Sequence, residues 1–171
     1  DTLALARKRQ QEAVPGLLRL AEDESRSVIT RAAAICLLGE YRGDQVVATL
    51  LKALTHSHPV MRAEAARALS EAGNPSLVPS LKRALRDPIR TVRLNAVFAL
   101  VKLGVLQVND EYAEAYNQAK GEYEQFLKEF PTIYDIRVDL GTYLAVHGKY
   151  EEALQEYQNA RKIRPEMPQA W

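Results

Sequence analysis

ITRAAAICLL (29–38), VMRAEAARAL (60–69) and TVRLNAVFAL (91–100) are three versions of one helical pattern. In each version an arginine is followed three positions later by alanine and seven positions later by leucine, and the pattern recurs every 31 residues. The three arginines are Arg31, Arg62 and Arg93. A fixed period of this length with helical spacing inside it is typical of a solenoid, in which each unit buries its apolar stripe against the next. The sequence therefore predicts a stack of helical repeats.

The composition is that of an ordinary globular protein, with 171 residues of which 47% are apolar and 26% are charged. The longest apolar run, AAAICLL from Ala32, is far shorter than the roughly 18 residues of a membrane span, and no signal peptide is recognisable. The chain begins at Asp1 rather than at Met, so we expect it to be a processed or excised piece of a longer protein. Its compartment is therefore unknown from the sequence.

Charge and aromatic residues are distributed unevenly along the chain. Up to Gly104 there are 16 Lys and Arg against 10 Asp and Glu, whereas from Val105 onward there are 7 against 12. Two aromatic residues precede this point and ten follow it. Two shifts at one place indicate a change of module. We predict a HEAT-like repeat array over residues 1–104, a long junction helix over residues 105–133 and a second type of repeat over residues 134–171.

Capping and breaking residues divide the first 104 residues into short helices. Apolar positions recur at intervals of three and four rather than two, so no strand is predicted. Asp44 and Ser76 are predicted N-caps, Pro79 suits a first helical turn, and Gly104 is a predicted helix end. The predicted helices lie before residue 9, at 12–21, on both sides of GEYRGD (39–44) within 27–54, and at 59–72, 77–86 and 88–103.

The unit Asp-Pro-x-x-x-Val-Arg-x-x-Ala-x-x-Ala-Leu, complete from Asp87 to Leu100 and weaker from Ser57 to Leu69, resembles a short HEAT repeat of the bilin-lyase type. HEAT-like arrays of this kind carry a ladder of Asp and Arg side chains that joins neighbouring units. In this chain the Asp column reads Ser25, His56 and Asp87. The resemblance therefore implies an incomplete ladder.

The stretch NDEYAEAYNQAKGEYEQFLKEFP predicts one long helix from about Asp110 to Phe130. Glu124 stands four positions from both Lys120 and Lys128, a spacing that favours ion pairs on a helix. Gly121 lies in the middle of the helix, where glycine costs about 1 kcal/mol relative to alanine. Two explanations remain open, an exposed glycine that is tolerated or a site where another helix crosses closely.

The last segment, from Tyr134 to Trp171, resembles a tetratricopeptide (TPR) repeat. The residues that carry the resemblance are Leu140, Gly141, Leu144, Gly148, Tyr150, Ala153, Tyr157, Ala160 and Pro165. Small residues let paired helices approach closely, and the tyrosines fill the space around them. Trp171 falls where the first helix of a further TPR unit begins, so we expect the chain to be cut inside that unit.

Motifs that would indicate an enzyme or a cofactor site are absent from the sequence. It contains no Gly-rich phosphate loop, no Gly-x-Ser-x-Gly, no HExxH and no CxxC or CxxCH. His56 and His58 form a His-x-His that offers too few ligands for a stable metal site. Cys36 is the single cysteine, so an internal disulfide is excluded, and we expect its thiol to be unreactive. We therefore expect no catalytic residue, no metal and no cofactor in this segment.

A basic cluster lies between the second and third repeats and is the first candidate binding site. It spans the second helix of one unit and the first helix of the next. Three interpretations remain open, namely a solvated face, a site for an acidic protein and a site for nucleic acid. Nucleic acid is disfavoured because no aromatic residues are interleaved for base stacking. The cluster consists of Lys82, Arg83, Arg86, Arg90 and Arg93.

The inner face of the TPR-like unit is the second candidate site. In TPR domains that hold a C-terminal carboxylate, the first helix offers Lys and Asn to the groove. The matching positions of this chain hold Val138 and Thr142, so that chemistry is missing. A groove here is expected to be mostly apolar and lined by Val138, Thr142, Ala145 and Val146, unless these residues pack against a neighbouring repeat.

These patterns predict an all-α, right-handed α-solenoid in which a HEAT-like array continues into TPR helix pairs. Its expected function is non-catalytic protein interaction or assembly, with acidic proteins or other segments of the same parent chain as partners and no membrane. The order of modules also resembles the C-terminal tail of bacterial multihaem c-type cytochromes. That resemblance implies a periplasmic or extracellular docking segment for electron transfer, with haems bound elsewhere. HEAT-like bilin lyases and DNA-repair glycosylases form an enzymatic alternative that we disfavour.

Overall fold

The computed structural model describes residues 2–7 and 9–166. Over these residues the protein is all-helical, without any β-strand. Short 3-10 turns at Gln11–Ala13 and Pro75–Leu77 lead into two of the helices. The α-helices are α1 (Thr2–Arg7), α2 (Val14–Glu22), α3 (Val28–Leu38), α4 (Asp44–Leu54), α5 (Pro59–Leu69), α6 (Val78–Ala84), α7 (Arg90–Lys102), α8 (Ala113–Glu129), α9 (Tyr134–Val146) and α10 (Tyr150–Ile163).

The first helices of successive repeats form one continuous stack. Helix α3 packs on α5, α5 on α7 and α7 on α9, while α2, α4 and α6 each pack on the first helix that follows them. The repeated alanines and leucines are fully buried in this stack: Ala34, Ala65, Ala96, Leu38, Leu69 and Leu100. Alanine lets the helix axes approach and leucine fills the space beside it. The predicted α-solenoid is confirmed.

Side chains and glycines set the helix ends as the chain turns. Ser27 accepts a hydrogen bond from the backbone N–H of Thr30 and so caps α3. The predicted caps at Asp44 and Ser76 are wrong. Asp44 is the first residue of α4, and Asn74 rather than Ser76 supplies the capping oxygen before α6. Gly104 ends α7 as predicted, with φ of 79°.

Arg62 and Arg93 each bind the turn before their own helix, and Arg62 also binds a carboxylate further along the chain. Arg62 donates to both carboxylate oxygens of Asp87, at 2.6 and 3.1 Å, and to the carbonyl of His56 at 2.9 Å. Arg93 donates to the carbonyl of Asp87 at 2.9 Å. The predicted ladder is therefore present at Asp87 and lacks a carboxylate at His56.

Helix α8 begins at Ala113, three residues later than predicted, because Asp110 caps the preceding turn by accepting from the N–H of Tyr112 at 3.0 Å. Its buried tyrosines join it to α7, and the rings of Tyr123 and Phe98 lie 5.4 Å apart. A Cβ atom on Gly121 would meet nothing within 4 Å, so the hypothesis of a close helix crossing there is wrong.

Helices α9 and α10 pack tightly against each other around a glycine. A Cβ atom on Gly141 would lie 2.6 Å from the ring of Tyr157, so only glycine admits this ring. Gly148 turns the chain between the two helices with φ of 75°. Trp171, on which the expected continuation into a further repeat depends, lies outside the described residues.

Candidate interaction surfaces

The basic cluster lies beside the segment that leads from α7 into α8. Nζ of Lys82 is 2.5 Å from a carboxylate oxygen of Asp110, which keeps the pKa of that carboxyl below its ordinary value. Arg86 donates to the backbone carbonyl of Glu111, and its guanidinium lies 4.4 Å from the centre of the Tyr112 ring. These two cations therefore hold the connecting segment onto α6.

Arg90 and Arg93 contact α8 itself. Arg93 binds the carboxylate of Glu122 in a bidentate arrangement, with N···O distances from 2.8 to 3.2 Å, and the hydrogen bonds lower the pKa of Glu122. Arg90 donates to the carbonyl of Glu122 at 3.4 Å. Four of the five cations therefore contact other parts of the chain, and for Lys82, Arg86 and Arg90 the sequence analysis did not anticipate this role.

Arg83 is exposed, as Arg86 and Arg90 are, but it differs from them because its hydrogen bond stays within its own helix, where it donates to Ser80 at 2.9 Å. It borders a cleft of about 430 Å³ between α4 and α6. The cleft is lined by Leu51, Leu54, Thr55, Ser80, Arg83, Ala84 and Asp87. The expected contact with an acidic partner stays a prediction, and Arg83 is the cation best placed to make it.

The four residues predicted to line the inner TPR face are all partly buried on α9: Val138, Thr142, Ala145 and Val146. Oγ1 of Thr142 lies 3.2 Å from the hydroxyl of Tyr157 on α10, and Val146 packs against the core. Both side chains therefore contribute to helix packing. The role of this face in binding a ligand stays a prediction.

A third surface, missed by the sequence analysis, is a groove between α8 and α10 with α9 as its floor, here called the α8–α10 groove. Its volume is about 740 Å³. The lining residues are Glu124, Leu127 and Lys128 of α8, Leu140, Tyr143 and Leu144 of α9, and Lys149, Glu151, Glu152, Gln155 and Glu156 at the start of α10. The groove forms because α10 packs along α9 while α8 meets α9 over a smaller contact.

The floor of the groove is apolar and its rim is mostly acidic. Leu127 and Tyr143 are buried, and Tyr143 donates its hydroxyl to Glu124. On the α10 side, Glu156 is held by Arg137, whereas Glu152 lies 3.6 Å from Lys149 with both side chains largely exposed. The groove therefore combines apolar contact area with carboxylates that remain open to solvent.

A partly buried acid, Asp139, lies on α9, which packs against α7. Burial and the nearby Asp135 carboxylate raise the pKa of Asp139, on α9, to about 7. Lys102 of α7 and Arg67 of α5 oppose this shift. The carboxyl group is therefore partly protonated near neutral pH, which makes the packing of α9 sensitive to pH.

The remaining candidates of the sequence analysis have local partners. Nδ1 of His56 accepts from the N–H of His58 at 2.9 Å, and Nδ1 of His58 accepts from the N–H of Val60 at 3.3 Å. Nη2 of Arg67 lies 2.5 Å from Sγ of Cys36, yet burial raises the pKa of this thiol. A raised pKa lowers the thiolate fraction and with it the reactivity.

Neither a metal centre nor a membrane segment is found in the described part of the chain. No group of three or more His, Cys, Asp or Glu side chains in residues 2–7 and 9–166 is arranged to hold a metal ion. Within the same residues, the helices lack the length and apolar character needed to cross a bilayer.

Comparison with known families identifies one region. Residues 25–101, which include α3 to α6 and nearly all of α7, match the family model of HEAT repeats. No curated protein matches the chain. The match supports the HEAT-like repeats that the sequence predicts for this region, and HEAT repeats generally serve as scaffolds for protein interaction. The resemblance of the last segment to TPR repeats stays a prediction.

Proposed function

We propose that the chain is a non-catalytic scaffold that binds other proteins through the surface of its stacked helices. One observation carries the proposal: the unbroken stack of first helices from α3 to α9, which leaves the second helices and the grooves beside them exposed over an extended surface. Such a surface offers a large contact area for a protein partner.

The proposal includes a TPR-like identity for α9 and α10. It is supported by the close approach of Gly141 and Tyr157 and by the burial of Ala153 and Ala160, which are the positions that the resemblance assigns to helix pairing. In this interpretation α7 serves two modules, since it packs on α5 as a HEAT helix and pairs with α8 ahead of α9.

The proposal also holds that the segment has no catalysis and no cofactor of its own. The sequence supports this, because it contains no CxxCH, no Gly-x-Ser-x-Gly and no HExxH motif. The cleft between α4 and α6 would be the place for a lyase or glycosylase site. Incubation with a linear tetrapyrrole and with damaged-base DNA duplexes tests this alternative, and turnover of either substrate would overturn the non-catalytic proposal.

A second candidate function is a docking segment of a multihaem c-type cytochrome. It is supported by the order of modules, with HEAT-like repeats followed by a long helix and a TPR-like pair. Its haems would be bound upstream, in an oxidising compartment. The sequence of the parent gene tests it, because a series of CxxCH motifs ahead of Asp1 is expected and a parent without them rules it out.

The scaffold function is tested by capture followed by measurement. Proteins cross-linked to the immobilised chain in extracts of its source are identified, purified and titrated against the chain by calorimetry. We expect at least one purified protein to bind at micromolar concentration or tighter, about −8 kcal/mol or better. If every captured protein fails to bind when purified, the scaffold proposal is wrong.

A further inference from the structure

We propose that the α8–α10 groove binds a cationic amphipathic helix of a partner protein. This inference rests on the proposed scaffold function and names the chemistry of one partner for a surface that the sequence analysis did not find. A helix lying in a groove is a recurrent mode of recognition, in which apolar residues one turn apart anchor the ligand. The groove has the floor, the rim and the exposure that this mode requires.

The floor of the groove presents leucines at helical spacing. Leu140 and Leu144 stand one turn apart on α9, and Leu127 of α8 lies beside them. Leu127 is almost completely buried, while Leu140 and Leu144 retain exposure. Side chains one turn apart are separated by about 6 Å, so a ligand helix with apolar residues at the same spacing can pack against both leucines.

The rim of the groove selects for positive charge. Four carboxylates line it against two lysines: Glu124, Glu151, Glu152 and Glu156 face Lys128 and Lys149. Three of the acids lie in the first two turns of α10. Glu151 makes no ion pair within the described part of the chain, and Glu152 has only the distant Lys149. Lysine or arginine flanking the apolar stripe of a ligand would meet these carboxylates.

Continuation of the repeat stack does not occupy this groove. Helix α10 has a separate exposed apolar stripe, formed by Tyr150 at 68% exposure and Leu154 at 51%. These two residues stand one turn apart and are rotated by about 100° from Glu151 and Gln155, which line the groove. A helix that covered Tyr150 and Leu154 would therefore lie on a different side of α10.

The rim also argues against other classes of ligand. From Val105 onward the chain carries 7 basic against 12 acidic residues, and the exposed carboxylates of the rim would repel phosphate groups. A nucleic acid or an anionic membrane surface is therefore disfavoured at this site. A basic helix gains from the same field, and its binding should weaken as salt screens the rim.

The test uses a defined probe, a fluorescein-labelled peptide of lysine and leucine with leucines at intervals of three and four residues, about 14 residues or roughly 20 Å of helix. Binding to the whole chain is followed by fluorescence anisotropy. A scrambled peptide of the same composition has no apolar stripe, and a second peptide carries glutamate in place of every lysine. We expect the first peptide to bind at least about tenfold more tightly than either control.

Variants of the chain locate the site. Glu151→Gln with Glu152→Gln removes two exposed charges of the rim, and Leu144→Ser alters the floor. We expect each variant to weaken binding by about five- to tenfold, as the loss of two solvent-exposed ion pairs or one apolar anchor implies. Glu12→Gln with Glu24→Gln makes the same change of charge on exposed residues of the first repeats and should leave binding unchanged. Circular dichroism and the thermal midpoint verify that each variant is folded.

The possible outcomes separate this inference from the scaffold proposal. Equal binding by the rim variant and the unmodified chain, or equal binding of the scrambled peptide, would overturn the inference. A dimer in sedimentation experiments that is lost in the rim variant would assign the groove to a second copy of the chain and would also overturn it. Each of these results leaves the scaffold proposal to its own test, because a captured protein can use another surface.

Discussion

Helices α5 and α10 show how differently the middle of the HEAT-like stack and the last helix pair are packed. Six of the eleven residues of α5 are buried, because α3, α4 and α7 all pack on it. Only Ala153 and Ala160 are buried among the fourteen residues of α10, whose main neighbour among the described helices is α9. Stability is thus concentrated in the HEAT repeats, whereas contact area for a partner is concentrated in the last helix pair.

One interaction of arginine is nevertheless common to both regions. Arg62 donates to the carbonyl of the residue six positions earlier and binds a carboxylate further along the chain, and Arg137 of α9 does the same. The carbonyl bound by Arg137 belongs to Pro131 and the carboxylate to Glu156. The same fixation of a turn by arginine therefore extends beyond the region that matches HEAT repeats.

Truncation of a leucine should change the stability by very different amounts in α5 and in α10, and the change in α5 is the largest effect we expect. Leu69 of α5 is fully buried, so Leu69→Ala should lower the free energy of unfolding by about 2–5 kcal/mol through lost contacts and a cavity. Leu154 of α10 is 51% exposed, so Leu154→Ala should change it by less than about 0.5 kcal/mol. Chemical denaturation of both variants provides the measurement. Similar losses of stability in the two variants would mean that α10 is covered in solution and that α5 and α10 do not differ in burial.

Removal of the ladder carboxylate should destabilise the repeats less than the cavity does. Burial alone would raise the pKa of Asp87, but hydrogen bonds from Arg62 and from the N–H of Ile89 lower it below its ordinary value. The side chains of Arg62 and Asp87 are only 14% and 10% exposed. Asp87→Asn leaves the guanidinium without its counter-charge and should cost about 2 kcal/mol at neutral pH.

The pH dependence gives this prediction its control. A carboxyl group with a lowered pKa in the folded state stabilises the protein above its unfolded pKa, near 4, and loses that contribution as the pH falls through the folded value. The difference between Asp87→Asn and the unmodified protein should therefore shrink in acid. Asp110→Asn, at a more exposed pair with Lys82, should destabilise the protein less than Asp87→Asn does. A difference at Asp87 that stayed constant down to about pH 3 would contradict the ion-pair explanation.

Asp139 should behave in the opposite way because its pKa is raised to about 7. The folded state then holds a proton that the unfolded state has released, so stability falls as the pH rises from about 4 to about 7. Asp139→Asn removes this penalty and should raise the free energy of unfolding by about 1–2 kcal/mol at pH near 8, with a smaller gain near pH 5. Denaturation at both pH values tests it. A gain that did not grow with pH would show that the carboxyl group is solvated.

The backbone of the HEAT repeats could be predicted from the sequence because its determinants recur within each unit. The buried positions of Ala65 and Leu69 follow from periodicity, and Gly104 and Gly148 mark helix ends where a positive φ is needed. The ends of α8 were less predictable. Asp110 fits a first helical turn as well as the turn that precedes the helix, and only its tertiary contact with Lys82 distinguishes the two.

The candidate surfaces were harder to predict because they join residues that no period relates. Arg93 lies on α7 and Glu122 lies on α8, 29 positions later. The sequence therefore could not show that the basic cluster binds carboxylates and carbonyls of the chain itself. The α8–α10 groove draws on three helices, and its width depends on how closely α8 approaches α9. The acidic start of α10 was visible in the sequence, but glutamates are also favourable at a helix N-terminus without any ligand.

His56 stands at the position that Asp87 takes in the next repeat, so a carboxylate there could extend the ladder to Arg31. Burial and the nearby Arg31 lower the pKa of His56, so its protonation destabilises the fold as the pH falls below about 6.5. Its Nδ1 accepts from the N–H two residues later, as an oxygen of Asp87 does in the next unit. His56→Asp should keep that cap, supply Arg31 with a counter-charge and stabilise the protein by about 1 kcal/mol. His56→Asn, which keeps the cap without the charge, is the control, and equal effects would refute the ladder explanation.

The smallest changes in stability are expected when alanine replaces either of two helical glycines, Gly121 and Gly141. Gly121 of α8 faces open space, so Gly121→Ala should stabilise the protein by about 0.5–1 kcal/mol, because alanine loses less conformational entropy on folding. The new methyl of Gly141→Ala would lie 2.6 Å from the ring of Tyr157, whose hydroxyl is 3.2 Å from Oγ1 of Thr142. The cost of displacing that ring should exceed the gain in helix propensity, so the net loss of stability should be about 1 kcal/mol. Thermal or chemical unfolding measures both, and two changes of the same sign would mean that α9 and α10 are not held together by this contact.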